Sequence, residues 1–131
     1  MMTTTLNLSN QGLTVMPDLS GYPNLTVLNL NDNLLTDVGI LPNTLKELYL
    51  QNNRISSIVV PPNLLVLNIL DNRLSMMDVP QTLTTLSATF KGHKEQKHFS
   101  QSLLELSNTP NTIVDMEWGQ SFTNVYIYSN E

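Results

Sequence analysis

Apolar side chains return on a fixed schedule along this chain. Leu25, Leu28, Leu30 and Leu35 surround Asn33; Leu45, Leu48, Leu50 and Ile55 surround Asn53; Leu64, Leu67, Ile69 and Leu74 surround Asn72. The middle of each set reads apolar-x-apolar, the alternation of a strand with one face turned inward. The whole set recurs after 20 and again after 19 residues, a period that belongs to stacked structural units.

Worn copies extend the schedule in both directions. Thr3, Leu6, Leu8, Gln11 and Leu13 hold the five places before the clean copies. After them come Leu83, Leu86, Ala88, Lys91 and His93, then Leu103, Leu106, Asn108, Asn111 and Ile113, then Phe122, Val125, Ile127 and Asn130. The fourth-place residues Leu6, Leu28, Leu48, Leu67, Leu86, Leu106 and Val125 are spaced by 22, 20, 19, 19, 20 and 19. A single domain of about seven copies is expected over residues 1–131. Its strands fall near 4–9, 26–31, 46–51, 65–70, 84–89, 104–109 and 123–128. Phe99, Leu103 and Leu106 also satisfy helical spacing, so residues 94–107 read either as the sixth copy or as a capping helix.

Copies that follow one another in the same direction pair their strands in parallel, which requires a return path. That path is about 12 residues long, too short for a comfortable helix with two turns, so an extended, turn-like or polyproline-like return is expected. Pro17, Pro23, Pro42, Pro61, Pro62 and Pro80 all fall in these returns, where a fixed φ and a missing donor do no harm. The returns carry two further apolar columns that are expected to close the core from behind. One is Met16, Val38, Ile58, Met77 and Met116; the other is Ile40, Val60, Val79, Phe99 and Trp118. Where the chain leaves each strand its backbone loses ladder partners, and a side-chain amide offers both donor and acceptor in their place. Asn33, Asn53, Asn72, Asn111 and Asn130 are therefore read as structural asparagines rather than ligand residues.

The eleven-place pattern LxxLxLxxNxL, met at Leu25–Leu35, Leu45–Ile55 and Leu64–Leu74, identifies the chain as resembling the leucine-rich-repeat family. The resemblance implies a leucine-rich-repeat solenoid or horseshoe. Its parallel β-sheet would line the concave face and extended, turn or polyproline returns the convex face, with little or no α-helix. The openings Pro42-Asn-Thr-Leu45, Pro62-Asn-Leu64 and Pro80-Gln-Thr-Leu83 resemble the shortest repeats of the family. Such repeats occur in secreted bacterial effectors and in small proteins of large DNA viruses and protists. Effectors often continue into a ubiquitin-ligase domain; here the repeats run to Asn130.

Composition narrows the partners. The net charge of -5 argues against a nucleic-acid binder that works through overall charge. The chain has no cysteine and opens Met-Met-Thr-Thr-Thr, without the basic start and apolar run of a signal peptide. Extracellular members of the family usually carry cysteine-rich caps, so a cytoplasmic location is expected. No stretch approaches the ~20 apolar residues of a bilayer span, so no membrane partner is expected.

The outward strand positions form a grid that is mostly small and uncharged. Val27, Tyr49, Val66, Leu70 and Phe90 stand out from it, beside Asn29, Gln51 and Asn68. Apolar and tyrosine side chains clustered on a concave sheet suit a partner protein, whereas scattered ones are ordinary surface. The expected function is a non-enzymatic interaction module, an adaptor or inhibitor, such as a viral or pathogen factor acting on a host protein. The alternative is a self-associating solenoid whose last strand, with Tyr126 and Tyr128, leaves an open sheet edge that pairs with a second copy.

Candidate chemistry adds little. Lys91 to His98 holds three of the six Lys and Arg residues and both histidines, and reads as a solvated loop ahead of a basic contact or a metal site. Asp32 and Asp71 lie two copies apart, a separation of ~10 Å that paired carboxylate catalysis could use, but Asp and Asn interchange at that place. No catalytic residue, metal or cofactor is assigned.

Overall fold

The recurrences of the apolar schedule at Leu6, Leu28, Leu48, Leu67, Leu86 and Val125 each add one strand to a parallel sheet. A computed structural model describes residues 2–74, 78–79, 82–91, 115–116 and 124–130. Its strands are β1 (Thr5–Asn7), β2 (Val27–Asn29), β3 (Glu47–Tyr49), β4 (Val66–Leu74), β5 (Asp78–Val79), β6 (Thr85–Lys91), β7 (Asp115–Met116) and β8 (Asn124–Asn130). Six of them form one parallel sheet in the order β1-β2-β3-β4-β6-β8, and β5 pairs with β7 in a separate two-stranded sheet. Leu6, Leu28, Leu48, Leu67 and Leu86 lie opposite one another across the large sheet. No helix occurs among the described residues, and none of them forms a helix long and apolar enough to cross a membrane.

The inward leucines are the core. Leu25, Leu28, Leu30 and Leu35 are fully buried, as are their counterparts Leu45, Leu48, Leu50 and Ile55, then Leu64, Leu67, Ile69 and Leu74. No single turn could enclose these side chains; each is covered by the turns before and after it. Leu6, Leu8 and Leu13, on the first turn, are partly buried against the same core, with the second turn as their neighbour among the described residues. From the return side, Val38 and Leu41 are buried, and Met16, Ile58 and Val60 pack against the cluster.

Two local devices make each turn. At the strand's exit, Asn10, Asp32, Asn52 and Asp71 occupy the left-handed region, with φ of 56°, 60°, 61° and 55°. Asn and Asp enter that region more readily than other side chains bearing a Cβ. At the strand's entrance, the N–H of Leu45 donates to the Pro42 carbonyl at 3.3 Å, and Leu64 does the same to Pro61 at 3.2 Å. Those proline-led turns set the chain back onto the sheet.

The fifth copy breaks the device. Phe90 and Lys91 stand where earlier copies have the left-handed Asn or Asp and the marker asparagine, and β6 runs straight through both. Phe90 lies opposite Leu74, not Asp71, after a register shift in β4. Beyond β6 the next described strand of the large sheet is β8. β8 pairs directly with β6 along seven residues, from Thr85 opposite Asn124 to Lys91 opposite Asn130. The β8 segment Asn-Val-Tyr-Ile-Tyr-Ser-Asn is rich in β-branched and aromatic residues and carries no proline or glycine, which suits a straight ladder. The 104–109 segment itself, the capping-helix alternative, Asn111, Met77, Phe99 and Trp118 lie outside the described residues.

Two return-side assignments are corrected. Ile40, expected inside, is 100% exposed, and its neighbour Leu41 is buried instead. Met116, expected level with Met77, lies opposite Val79.

Candidate functional site

The sheet's outward columns can be traced strand by strand. Thr5, Val27, Glu47, Val66 and Thr85 lie opposite one another, as do Asn7, Asn29, Tyr49, Asn68 and Ser87. Parallel neighbours lie about 4.8 Å apart, so Val27, Tyr49 and Val66 occupy one patch. Val27, Asn29, Tyr49, Gln51, Val66, Asn68 and Leu70 are all half-buried. The backbone of Phe90 lies opposite Leu74, beyond the register shift in β4. Tyr126 lies opposite Ser87 and Tyr128 opposite Thr89, which puts both on the last strand of the sheet.

Much of the polar capacity of this face is turned onto its own backbone. The Oδ1 of Asn7 accepts the Ser9 N–H at 3.0 Å, that of Asn29 accepts Asn31 N–H at 2.9 Å, and that of Asn68 accepts Leu70 N–H at 3.2 Å. This is the Asx turn, a side chain standing in for a backbone acceptor two residues earlier. Tyr49 cannot accept in this way, and the Gln51 N–H donates instead to Asn31 Oδ1 of the preceding turn at 2.7 Å. The Asn68 amide donates in turn to Gln51 Oε1 at 3.2 Å. These bonds hold the outward polar residues in place and leave the apolar ones as the more distinctive feature.

Tyr49 is fixed as well. Its hydroxyl donates to Glu47 Oε1 at 2.5 Å. That hydrogen bond, with partial burial and the carboxylate's charge behind it, pushes the Tyr49 hydroxyl up to about 12. The bond needs the proton, so its stabilising contribution is present below the ordinary tyrosine value of ~10 and is lost as pH rises from there to about 12. Titration followed on labelled tyrosine rings should show Tyr49 ionising near 12. In Glu47→Gln that midpoint should fall towards ~10; an unchanged midpoint would show that the carboxylate is not the cause.

The asparagine column sits beneath this surface. Asn33, Asn53 and Asn72 are buried, with exposures of 5%, 6% and 3%. Each reaches into the preceding turn. Asn53 accepts the Leu35 N–H at 3.1 Å and donates to the carbonyls of Leu30 at 3.0 Å and Leu50 at 3.1 Å. Asn72 accepts the Ile55 N–H at 2.9 Å and donates to Leu50 at 2.8 Å, Ile69 at 3.3 Å and Leu70 at 3.0 Å. Asn33 accepts from Gln11 and Leu13 and donates to Leu8 and Leu30. Asn130 is the last residue of β8.

Asp32, considered above as half of a carboxylate pair, is a turn residue whose Oδ1 accepts from the Asn52 amide at 3.1 Å. Sequence reasoning missed Asn31 and Glu47. The x-Asn-x-Asn spacing around Asn29 could have flagged the first; the second had no signal short of the Tyr49 contact.

Comparison with known proteins agrees with this geometry. A family model described as Leucine Rich Repeat matches residues 24–46 and 44–62, which cover the clean second copy and most of the third. No curated protein sequence matches the chain. A solved structure described as a Shigella effector leucine-rich-repeat domain is similar over 97% of this chain and 81% of that one, with a TM-score of 0.54 and 21% identity. Solenoids of this kind generally offer an extended concave surface for protein interaction. The repeat register, the family match on its regular central copies and the shared parallel solenoid give this chain the leucine-rich-repeat fold.

Proposed function

We propose that the protein is a non-enzymatic interaction module that binds a partner protein on its concave face, acting as an adaptor or inhibitor. The observation that supports this most is the patch of Val27, Tyr49, Val66 and Leu70. They lie half-buried on adjacent strands whose surrounding amides are tied to the backbone. Contact there buries apolar area without breaking strong polar bonds, and tyrosine and aliphatic side chains in a central pocket are the usual anchors of an interface. The triple variant Tyr49→Ser, Val66→Ser, Leu70→Ser should lose the partners that the wild type retains in crosslinked affinity capture. Val15→Ser, at an exposed site away from the strands, should keep them. Retention of the same partners by the triple variant would move the binding site off this face.

A second reading is favoured by the position of β8. Among the described residues it is the end strand of the sheet, and no described strand pairs with its outer edge, where a strand from another copy would add. Sedimentation equilibrium separates the two readings. A concentration-dependent dimer supports edge pairing, and a monomer at high micromolar concentration removes it.

A further inference from the structure

The return side carries a feature that neither reading uses. Ile40 is 100% and Val59 is 79% exposed. Counted back from the next strands, at Leu45 and Leu64, both stand five residues before the inward leucine, so they are equivalent places on consecutive turns. Ile40 is also the wall shared by two recesses. One, of about 420 Å³, is lined by Tyr22, Pro23, Leu41 and Pro42 among others; the second, of about 290 Å³, is lined by Ile58 and Val59. Each recess has one carboxylate on its rim, Asp18 in the first and Asp37 in the second, and neither has a Lys or Arg in its lining.

Both carboxylates are held by their own backbone turns. Asp18 Oδ1 accepts the Ser20 N–H at 2.9 Å and Asp37 Oδ1 accepts the Gly39 N–H at 3.1 Å. An Asx turn uses only part of a carboxylate's accepting capacity, and the rest faces water or a cation. Asp18 is fully exposed, and its bonds to Ser20 keep it below the ordinary carboxylate range, so it is ionised at neutral pH.

We propose that this ridge and its two flanking recesses form a second docking site, for an extended peptide segment of a partner protein that bears two aliphatic side chains flanked by Lys or Arg. The charge pattern chooses the occupant: an acidic or neutral segment gains nothing from rim carboxylates, whereas a basic one pairs with Asp18 and Asp37 while its aliphatic side chains cover Ile40. Side chains two apart on an extended strand point the same way and stand about 6.6 Å apart, so one chain presents two aliphatic side chains to a pair of recesses that share Ile40 as a wall. Recesses of this size match the lower end of small-ligand pockets, so a modest affinity is expected.

The test uses the full chain, 15N-labelled, and a synthetic peptide with a leucine and an isoleucine two places apart between pairs of lysines. Saturable amide shifts should appear at Gly39, Ile40, Asn43 and Val59. Ile40→Ser should weaken binding by about tenfold, the loss of one aliphatic contact. Asp18→Asn with Asp37→Asn keeps the turn acceptors, removes both charges, and should weaken it by a similar factor. The same peptide with glutamate for lysine should not bind. Equal binding of the glutamate peptide, or the absence of saturable shifts up to about 5 mM, overturns the proposal. Shifts centred on Tyr49 and Val66 overturn it too, and in that case the concave-face reading still stands.

Discussion

Asn53→Leu should destabilise the solenoid by about 3 kcal/mol, although the new side chain is apolar, of similar size and placed in an apolar core. The reason lies in how the carbonyls are shared. Leu30 O accepts from both Asn33 and Asn53, and Leu50 O accepts from both Asn53 and Asn72, so each keeps one amide when Asn53 is removed. The Leu35 N–H has no such reserve, because its acceptor is the Asn53 carbonyl oxygen, and Leu35 is fully buried. One orphaned buried donor costs ~1–3 kcal/mol and two lost bonds ~0.5–1.5 kcal/mol each. Urea unfolding followed by circular dichroism should show a midpoint lower by about 1–2 M with an unchanged slope. Asn53→Asp should be at least as damaging, since a buried carboxylate would face two carbonyl oxygens with nothing to donate. A loss below ~0.5 kcal/mol in Asn53→Leu would mean that the column follows the fold without holding it.

The central turns were legible because their constraint is strict. An inward leucine can sit only at alternate strand positions, so β2, β3 and the start of β4 could be placed from Leu28, Leu48 and Leu67 alone. The returns follow a looser rule. Successive copies differ by one residue in length, and counting forward from the strand aligns Ile40 with Val60. Counting back from Leu45 and Leu64 aligns Leu41 with Val60 and Ile40 with Val59, and burial follows the second count. The slack is taken up between Val38 and Leu41, where Gly39 adopts a φ of 61°. The left-handed column was visible as an Asn/Asp alternation at positions 10, 32, 52 and 71, yet the letters alone suggested a surface preference and not a backbone conformation. That column stops at Phe90, and β6 runs on to Lys91, two residues past the expected end of the strand. What the period could not foretell was the direct pairing of β6 with β8, whose residues lie 39 positions further on.

That distinction between inward and outward places yields the second large expected effect. Leu48→Ala should cost about 2–5 kcal/mol, and Ile40→Ser should change stability by no more than ~0.5 kcal/mol. Both positions are aliphatic and both recur with the period, so sequence hydropathy ranks them alike. Leu48 is fully buried and lies between Leu28 and Leu67, so truncation removes contacts to the turns on either side. In a stack whose stability is shared between neighbouring turns, a cavity at the third turn weakens two interfaces at once and divides the array into shorter pieces. With only ~5–15 kcal/mol available to a domain, that loss should bring part of the population into partial unfolding near physiological temperature. Amide hydrogen exchange should show it as lost protection in β2, β3 and β4 together, because a defect at an interface releases the strands on both sides. Loss confined to β3 would mean that the turns are stabilised one by one, and the description of the core as a shared stack would fail.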